Sequence, residues 1–412
     1  MGQVEYQSQA HEENPSFKVN YPVFRLMGGN FVSFFGDQIY LIAIPLIVLA
    51  LTGSPFIMGV VAALERLPIL LQPFLGIVAD RFDRRKVLMV CDALRGTVVL
   101  ILGVTYLTGN LPITYLLIGA FVIGLLSQLY NTAQFAILPR LVRPSDLQLA
   151  NSINSGIFQT SVFIAPGLGG ILIAAYDPGY ALVINGISFF AALLAVSSIK
   201  LSPPEEKQAS TGWMLQIKEG FRFVIQTRPI LFTNLSMFLS IFGTTILLTL
   251  MVFHLKDTIG LTAGQIGFLL SIGGLGAVGG ALASGFFRKR FSYGNILFTA
   301  ALIGGGSIIL FAYVQSFVLL VVANAIGTVC ASIQSPCIVT LRQLLTPDRL
   351  LGRVQATSRF MTWMLMPVGA FSAGVLAEYI GTSMTIAIGG MVTLIAGFLY
   401  LHPSLRVRAM HP

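Results

Sequence analysis

Long apolar runs recur along almost the whole chain, and they constrain its fold more than any other feature. A run of about 20 apolar residues is enough for a helix to cross the hydrocarbon core of a bilayer. Only 10% of the 412 residues are charged, whereas soluble domains carry about 25%. Transmembrane β-strands would alternate apolar and polar residues over segments of roughly 10 residues, a pattern that this sequence lacks. The sequence therefore predicts an all-α membrane protein.

Twelve of the apolar segments are long enough to be spanning helices. The predicted spans are residues 23–50, 55–79, 86–108, 112–138, 149–175, 178–200, 229–255, 262–287, 293–314, 317–343, 353–378 and 382–402. Alternate loops are rich in Lys and Arg, whereas the loops between those carry at most one basic residue. Because basic loops stay in the cytoplasm during insertion, both termini are predicted to be cytoplasmic.

One long internal loop separates the first six spans from the last six. It begins with the linker-like sequence SPPEEKQAS and continues with an amphipathic segment, in which Trp213, Ile217, Phe221 and Val224 share one helical face. We expect this segment to lie on the cytoplasmic leaflet. The sequences RPSDLQLANS and TPDRLLGRVQ, one in each half, indicate an internal repeat. The predicted organisation is a tail (1–22), a six-helix bundle (23–200), a linker (201–228), a second six-helix bundle (229–402) and a C-terminal tail (403–412).

The loop between the second and third predicted spans reads GIVADRFDRRKVL. It resembles the signature of the major facilitator superfamily, with Gly76, Asp80, Arg81, Arg84 and Arg85 at matching positions and an aspartate in place of the second glycine. The resemblance implies two pseudo-symmetric helical bundles and a charge latch that holds one access state. In that latch the glycine permits close helix packing, and the first aspartate caps the N-terminus of the eleventh span. The alternative is a basic loop that only orients the chain.

Two further stretches, FFGDQIYLIAIPLIVLALTGSPFIMG and LYNTAQFAILPRLVRPSDLQLANS, resemble the bacterial branch that holds macrolide efflux proteins and the enterobactin exporter. This resemblance implies a multi-pass protein of the bacterial inner (plasma) membrane. In the fifth span, Pro166, Gly169 and Gly170 resemble an antiporter motif, although a proline kink with small packing residues explains them equally well. The sequence GLGAVG in the eighth span is interpreted as close helix packing, because a dinucleotide site would need a strand before it.

Three charged residues interrupt the apolar sequence of the first two spans. Asp37, Glu65 and Arg66 each lie roughly 14–16 Å from a predicted membrane surface. A charge at the centre of a bilayer costs about 2.5–3.5 kcal/mol on the most lenient scale, so these charges should face one another or a cavity. We expect Asp37 to pair with Arg66 and Glu65 to be a second titratable group. The group either couples transport to protons or forms a static ion pair. Asp92 and Arg95 are expected to form a local structural pair.

Uncharged polar residues form stripes along three of the predicted helices, and we expect these stripes to line a substrate cavity. They comprise Asn30, Ser33 and Tyr40 in the first span, Ser127, Asn131 and Gln134 in the fourth, and Asn324, Thr328 and Ser332 in the tenth. Hydrogen bonding between helices is the alternative for each of them. Such a cavity suits a bulky amphipathic molecule. No enzymatic motif, metal site, cofactor or nucleic-acid partner is indicated.

These features together predict a secondary active exporter of hydrophobic or amphipathic, drug-like or macrolide-like molecules. It would use proton antiport and alternating access, and its partners would be the substrate, protons and the lipid bilayer, with the chain acting as a monomer. Two alternatives remain open. One is a lysophospholipid flippase or a proton-independent facilitator of the same fold, and the other is a membrane receptor that transports nothing.

Overall fold

The computed structural model describes residues 15–199, 213–347 and 350–405, and these residues are almost entirely helical. The helices before the central linker are α1 (Tyr21–Thr52), α2 (Pro55–Arg66), α3 (Gln72–Arg81), α4 (Arg84–Leu107), α5 (Ile113–Leu141), α6 (Leu147–Ala175) and α7 (Pro178–Ser197). Those after it are α8 (Trp213–Gln226), α9 (Arg228–Phe253), α10 (Ala263–Arg290), α11 (Tyr293–Tyr313), α12 (Phe317–Leu345), α13 (Leu351–Trp363), α14 (Met366–Ile380) and α15 (Thr382–Gly397).

The segment predicted as the second span is not one continuous helix. It consists of α2, a 3-10 turn over Leu67–Leu71, and α3. Pro68 lies in the 3-10 turn and Pro73 is the second residue of α3. A proline supplies no backbone N–H for the helical hydrogen-bond ladder. Within the described part of the chain, eleven helical segments are long and apolar enough to cross a membrane. The all-helical fold is thus confirmed, while the number of twelve spans stays a prediction.

A second interruption lies in the segment predicted as the eleventh span. There α13 ends at Trp363 and α14 begins at Met366, just before Pro367. At the far end of α14, Gly381 adopts a φ of +80°. Because only glycine reaches this conformation without strain, the chain can leave α14 and start α15 at once.

The described residues fall into two compact units: those within Met1–Ile47 and Leu70–Glu206 form unit 1, and those within Val48–Ile69 and Lys207–Pro412 form unit 2. The short stretch Val48–Ile69 was expected in the first bundle but packs within unit 2. The reason is a close contact between α2 and α14, where a Cβ added to Gly59 would collide with the backbone of Gly374. Glu378 of α14 also accepts hydrogen bonds from the Ser54 hydroxyl (3.1 Å) and from the Phe56 amide (3.3 Å). The predicted division at residues 201–228 stays a prediction.

The amphipathic segment of the linker forms α8, which packs against α13 within unit 2. Val224 is fully buried with Ile230 and Val354, whereas Phe221 is 45% exposed. The placement of this helical face on the cytoplasmic leaflet stays a prediction. Glu219 of α8 forms an ion pair with Arg353 of α13, so this helix is attached to the protein itself. The side chains of Trp213 and Ile217 lie outside the described part of the structure.

Candidate functional site

A buried ion pair lies in the interior of unit 1. On α4, Arg95 Nη2 lies 2.6 Å from Asp92 Oδ1, and the two side chains are 3% and 0% exposed. The Arg95 guanidinium also lies 4.2 Å from the ring centroid of Tyr130 on α5 and 4.3 Å from that of Phe189 on α7. The sequence correctly predicted the local pair between Asp92 and Arg95. It did not predict that aromatic rings of two other helices enclose the guanidinium.

Hydrogen bonds extend this polar group to two further helices. The Tyr130 hydroxyl donates to Asn30 Oδ1 on α1 (3.1 Å), and Asn30 Nδ2 donates to Asn154 Oδ1 on α6 (3.0 Å). Arg95 Nη1 donates to the Ser127 hydroxyl on α5 (3.4 Å). Asn30 and Ser127 were expected to line a cavity. Both take part in hydrogen bonds between helices, which was the stated alternative, and Asn30 is 2% exposed with both ends of its amide bonded. Ser127 is half-buried, and its place in a cavity wall stays a prediction.

Asp37 lies two helical turns beyond Asn30 on the same face of α1, and it is half-buried. Its charge interacts with that of Arg95, which also interacts with Asp92. Unit 1 thus brings two carboxylates close to one guanidinium. We call Asp37, Asp92, Arg95 and Tyr130 the charged cluster.

The role of Arg95 in this cluster could have been inferred from its position in the sequence. It lies eleven residues beyond Arg84, the first residue of α4, which corresponds to a depth of roughly 16 Å. That depth equals the one predicted for Asp37. The expected pair of Asp37 with Arg66 joins residues of different units and stays a prediction. Within unit 2, Arg66 Nη1 donates to the Ala62 carbonyl one turn earlier (3.2 Å), and Glu65 is half-buried.

The other polar residues predicted for the first and fourth spans differ in exposure. Ser33 and Tyr40 are buried in unit 1, Asn131 is exposed and Gln134 is half-buried. Among the described residues, no partner accepts a hydrogen bond from the buried Gln134 Nε2. Of these four side chains, Gln134 and Asn131 are therefore the better candidates for contact with a ligand.

The predicted latch is only partly described, since the side chains of Asp80 and Arg81 lie outside the described residues. A Cβ added to Gly76 would meet no described atom within 4 Å, and the close packing expected at this glycine stays a prediction. Arg85 donates to the carbonyls of Val196 and Ser197 at the C-terminus of α7. A cation at that position offsets the partial negative charge of the helix end. Arg84 is half-buried.

The motif of the fifth span packs against α1. Pro166 lies inside α6, which continues through it, and Pro166, Gly169 and Gly170 are all buried. A Cβ added to Gly169 would lie 3.1 Å from Cγ1 of Ile39. These contacts support the packing interpretation of the motif, whereas its role in exchange stays a prediction.

Unit 2 contains a cavity of about 320 Å³. Its wall is formed by α9, α11, α12 and α15. Helix α9 packs on α15, α15 on α11, and α11 on α12, whereas α9 and α12 make little contact with each other. The side chains in the wall are apolar or carry hydroxyl and amide groups, and none of the described ones is charged. We call this space the unit 2 cavity.

Two of the three residues predicted for the tenth span lie in the wall of the unit 2 cavity. They are Asn324 and Thr328. Asn324 Nδ2 also donates to the Leu269 carbonyl of α10 (3.1 Å), and Ser332 lies against Gly280 of the same helix. Small residues on α10 permit this contact, and a Cβ added to Gly276 would lie 2.9 Å from the Ala325 carbonyl oxygen. Close helix packing in the GLGAVG sequence is therefore confirmed at Gly276, whereas a Cβ added to Gly279 would meet no described atom within 4 Å.

Comparison with known proteins gives one family and a consistent set of relatives. The family model described as transmembrane secretion effector matches residues 18–411. The chain is 26% identical to an uncharacterized MFS-type transporter, YfiS of Bacillus subtilis, over 94% of each chain. It is 27% identical to the multidrug efflux pump Tap of Mycolicibacterium fortuitum, over 88% of this chain and 90% of Tap. A crystal structure of a variant of the nucleoside transporter NupG superposes with a TM-score of 0.75 at 14% identity, covering 92% of this chain and 99% of that one.

Proposed function

Because the chain belongs to the transmembrane secretion effector family of the major facilitator superfamily, we propose that it exports hydrophobic or amphipathic small molecules in exchange for protons. It is a multi-pass membrane transporter and not an enzyme. The similarity to Tap, a multidrug efflux pump, supports export as the direction of transport. Proton exchange is the part of the proposal that rests on the residues of this chain.

The charged cluster is the observation that carries the proposal. Arg95 can neutralise one of the carboxylates of Asp37 and Asp92, and the other remains in excess. A net negative charge inside a bilayer is costly. One proton on either carboxylate removes that charge and leaves Arg95 paired with the other. The cluster is therefore suited to bind one proton and to release it when the excess charge is solvated.

Alternating access would convert this binding into exchange. When the cluster is open to the outside, where protons are more abundant, a carboxylate takes up a proton. When it opens to the cytoplasm, the proton leaves, and the substrate binds for the return step. Each proton entering would then drive substrate export, because the two conformations differ in their affinity for both ligands.

The remaining parts of the proposal concern topology and the surroundings of the protein. We propose twelve spans, with the broken segment α2–α3 as the second of them, and both termini in the cytoplasm. The basic loops of the protein would face the cytoplasm of a bacterial cell. The chain would act as a monomer in the plasma membrane. The latch residues, Gly76 and Asp80 with the neighbouring arginines, would stabilise one of the two access states.

Transport by purified protein in proteoliposomes tests the proposal. The probes are ethidium, tetraphenylphosphonium and chloramphenicol, each with and without an imposed pH gradient, and proton movement is followed with trapped pyranine. We expect gradient-driven transport of at least one probe with matching proton flux. Asp37→Asn should abolish the gradient-driven component and preserve exchange of labelled for unlabelled probe. Equal transport with and without the gradient would support a facilitator instead, and gradient-independent movement of lysophosphatidylcholine would support a flippase.

A further inference from the structure

The two units repeat the same helix packing, and the register of the repeat can be counted from the helix caps. Asp83 caps α4 by accepting from the Arg85 amide, and Ser292 caps α11 by accepting from the Asn295 amide. Each cap is followed thirteen residues later by a glycine (83 to 96 and 292 to 305). A Cβ added to Gly96 would lie 3.1 Å from the Gly186 carbonyl oxygen, and one added to Gly305 would lie 3.0 Å from that of Gly390.

The partner helices α7 and α15 have the same register. Gly186 lies nine residues beyond the α7 cap, Asp177, and Gly390 lies nine residues beyond the α15 cap, Gly381. The contacts also agree in the reverse direction. A Cβ added to Gly186 would meet Leu100, and one added to Gly390 would meet Ile309. Both of these residues lie seventeen positions after their caps (83 to 100 and 292 to 309).

This register shows what occupies the position of the charged cluster in unit 2. Arg95 lies twelve residues beyond its cap, and so does Gly304 (292 to 304). Phe189 corresponds by the same count to Thr393 (177 to 189 and 381 to 393). Tyr130 lies eighteen residues beyond Pro112, the residue preceding α5, and Gln334 lies eighteen beyond Ser316, which precedes α12.

All three of these unit 2 residues, Gly304, Gln334 and Thr393, line the unit 2 cavity. A guanidinium and two aromatic rings fill the corresponding place in unit 1. A glycine, an amide and a hydroxyl leave it open in unit 2. The cavity is therefore the repeat-related equivalent of the charged cluster, without its side-chain volume and its charge.

The chemistry of the wall defines what could fill the space. A volume of about 320 Å³ is within the range of small-molecule sites, roughly 300–1,000 Å³. Met251 and Phe311 supply apolar surface, and Asn324 and Ser307 supply polar groups. The Ser240 hydroxyl in the same wall is buried and has no hydrogen-bond partner among the described residues. A ligand that forms a hydrogen bond with such a buried hydroxyl, as donor or as acceptor, would remove the cost of leaving it without a partner.

We propose that the unit 2 cavity binds the uncharged part of the exported molecule, a ring system that carries hydroxyl or amide groups. A charged group would lose its hydration there without finding a counter-ion. This inference deepens the proposed export function and rests on it for the identity of the cargo. Binding in the cavity itself does not depend on proton exchange.

Cys330 is a native reporter for the cavity. It lines the wall, and its Cβ lies 3.4 Å from the position of a Cβ added to Gly304. The other two cysteines, Cys91 and Cys337, would be replaced by alanine. N-ethylmaleimide is uncharged and serves as a small probe of access, and a trimethylammonium-bearing thiosulfonate of similar reach serves as the cationic probe. Labelling is measured by mass spectrometry of the full-length protein in nanodiscs, with no proton gradient.

Relative to the rate of each reagent with free cysteine, we expect N-ethylmaleimide to modify Cys330 at least about tenfold faster than the cationic reagent, because the wall offers no compensating charge. Gly304→Leu places a side chain in the cavity and should slow the reaction of N-ethylmaleimide with Cys330 about tenfold. The matched control is Gly306→Leu on the same helix, where an added Cβ meets no described atom within 4 Å, and its Cys330 should react as in the parent. Thr393→Phe places in unit 2 the aromatic side chain that unit 1 has at the equivalent position. It is the second cavity-filling variant, in case Gly304→Leu does not fold.

Three results would overturn the proposal: no reaction at Cys330, equal rates for the two reagents relative to their rates with free cysteine, or a rate unchanged in both filling variants. Chloramphenicol at saturating concentration should protect Cys330 in the parent, and the absence of protection by any transported uncharged probe would also count against the site. Loss of gradient-driven transport with labelling and protection intact would refute proton antiport alone. The two proposals can therefore fail separately.

Discussion

Removal of the Arg95 guanidinium should destabilise unit 1 more than any other single charge change in the described residues of that unit. In Arg95→Met the apolar stem is retained, but Asp92, which is 0% exposed, loses its 2.6 Å partner. Breaking a buried ion pair by removing one partner costs about 3–5 kcal/mol, because the other charge remains buried. The cation–π contacts with Tyr130 and Phe189 would add roughly 0.5–2 kcal/mol. The ion-pair term alone predicts a fall in melting temperature of about 6–20 °C for a unit of this size.

The assay is thermal unfolding of purified protein in nanodiscs, followed by intrinsic fluorescence. The control is Arg353→Met, which removes the half-exposed ion pair with Glu219 and should cost no more than about 1 kcal/mol. The double variant Asp92→Asn/Arg95→Met leaves no carboxylate at position 92 and should recover much of the loss. The reasoning is wrong if Arg95→Met melts within 2 °C of the control, or if the double variant is less stable than Arg95→Met.

Two further predictions concern the latch and the helix contacts. Asp80→Asn removes the anion that the family resemblance places at a helix N-terminus, and it should change the preference between access states by about 0.3–2 kcal/mol. Site-directed cysteine labelling from the two membrane faces would detect the shift, and unchanged labelling with full transport would argue against a latch. Gly59→Val should destabilise the protein by at least about 1–3 kcal/mol through overpacking against Gly374. Gly76→Val, where an added Cβ meets no described atom within 4 Å, should retain the parent melting temperature. Equal melting temperatures for the two valine variants would contradict the packing of α2 on α14.

The helices were predictable because each apolar run must satisfy its backbone hydrogen bonds internally within a membrane. The predicted span 293–314 differs by a single residue from α11, and 178–200 has the same start as α7. The feature that the sequence did not predict is the break within the second span. The prolines at positions 68 and 73 were visible in the sequence, but the apolar run continues across them, so a count of apolar residues could not show the break.

The candidate site was less predictable, for two reasons. Depth along a helix follows from counting residues, whereas the identity of the neighbouring helix does not, and this is why the interaction of Asp37 with Arg95 was not predicted. The unit 2 cavity arises from a missing side chain at Gly304. One glycine among 42 in the chain gives no signal by itself, and its meaning emerges only when α11 is aligned with α4 through their caps.

Separation of the charged cluster from the uncharged cavity determines how protons and substrate can be coupled. An uncharged cargo has no positive charge with which to displace a proton from Asp37, so direct competition at this carboxylate cannot couple the proton to the cargo. Coupling must then pass through the two access conformations, and thermodynamic linkage requires that each ligand changes the affinity of the other by the same factor.

We therefore expect the affinity for chloramphenicol, measured by scintillation proximity on protein in nanodiscs, to depend on pH in the parent. In Asp37→Asn the dependence should flatten while the affinity at its maximum is retained, because no titratable carboxylate lines the described wall of the cavity. The control is Asp177→Asn, at the cap of α7 and outside the cluster, which should keep the parent profile. A parent affinity independent of pH, or an Asp37→Asn profile identical to the parent's, would show that Asp37 does not connect protons to the cargo.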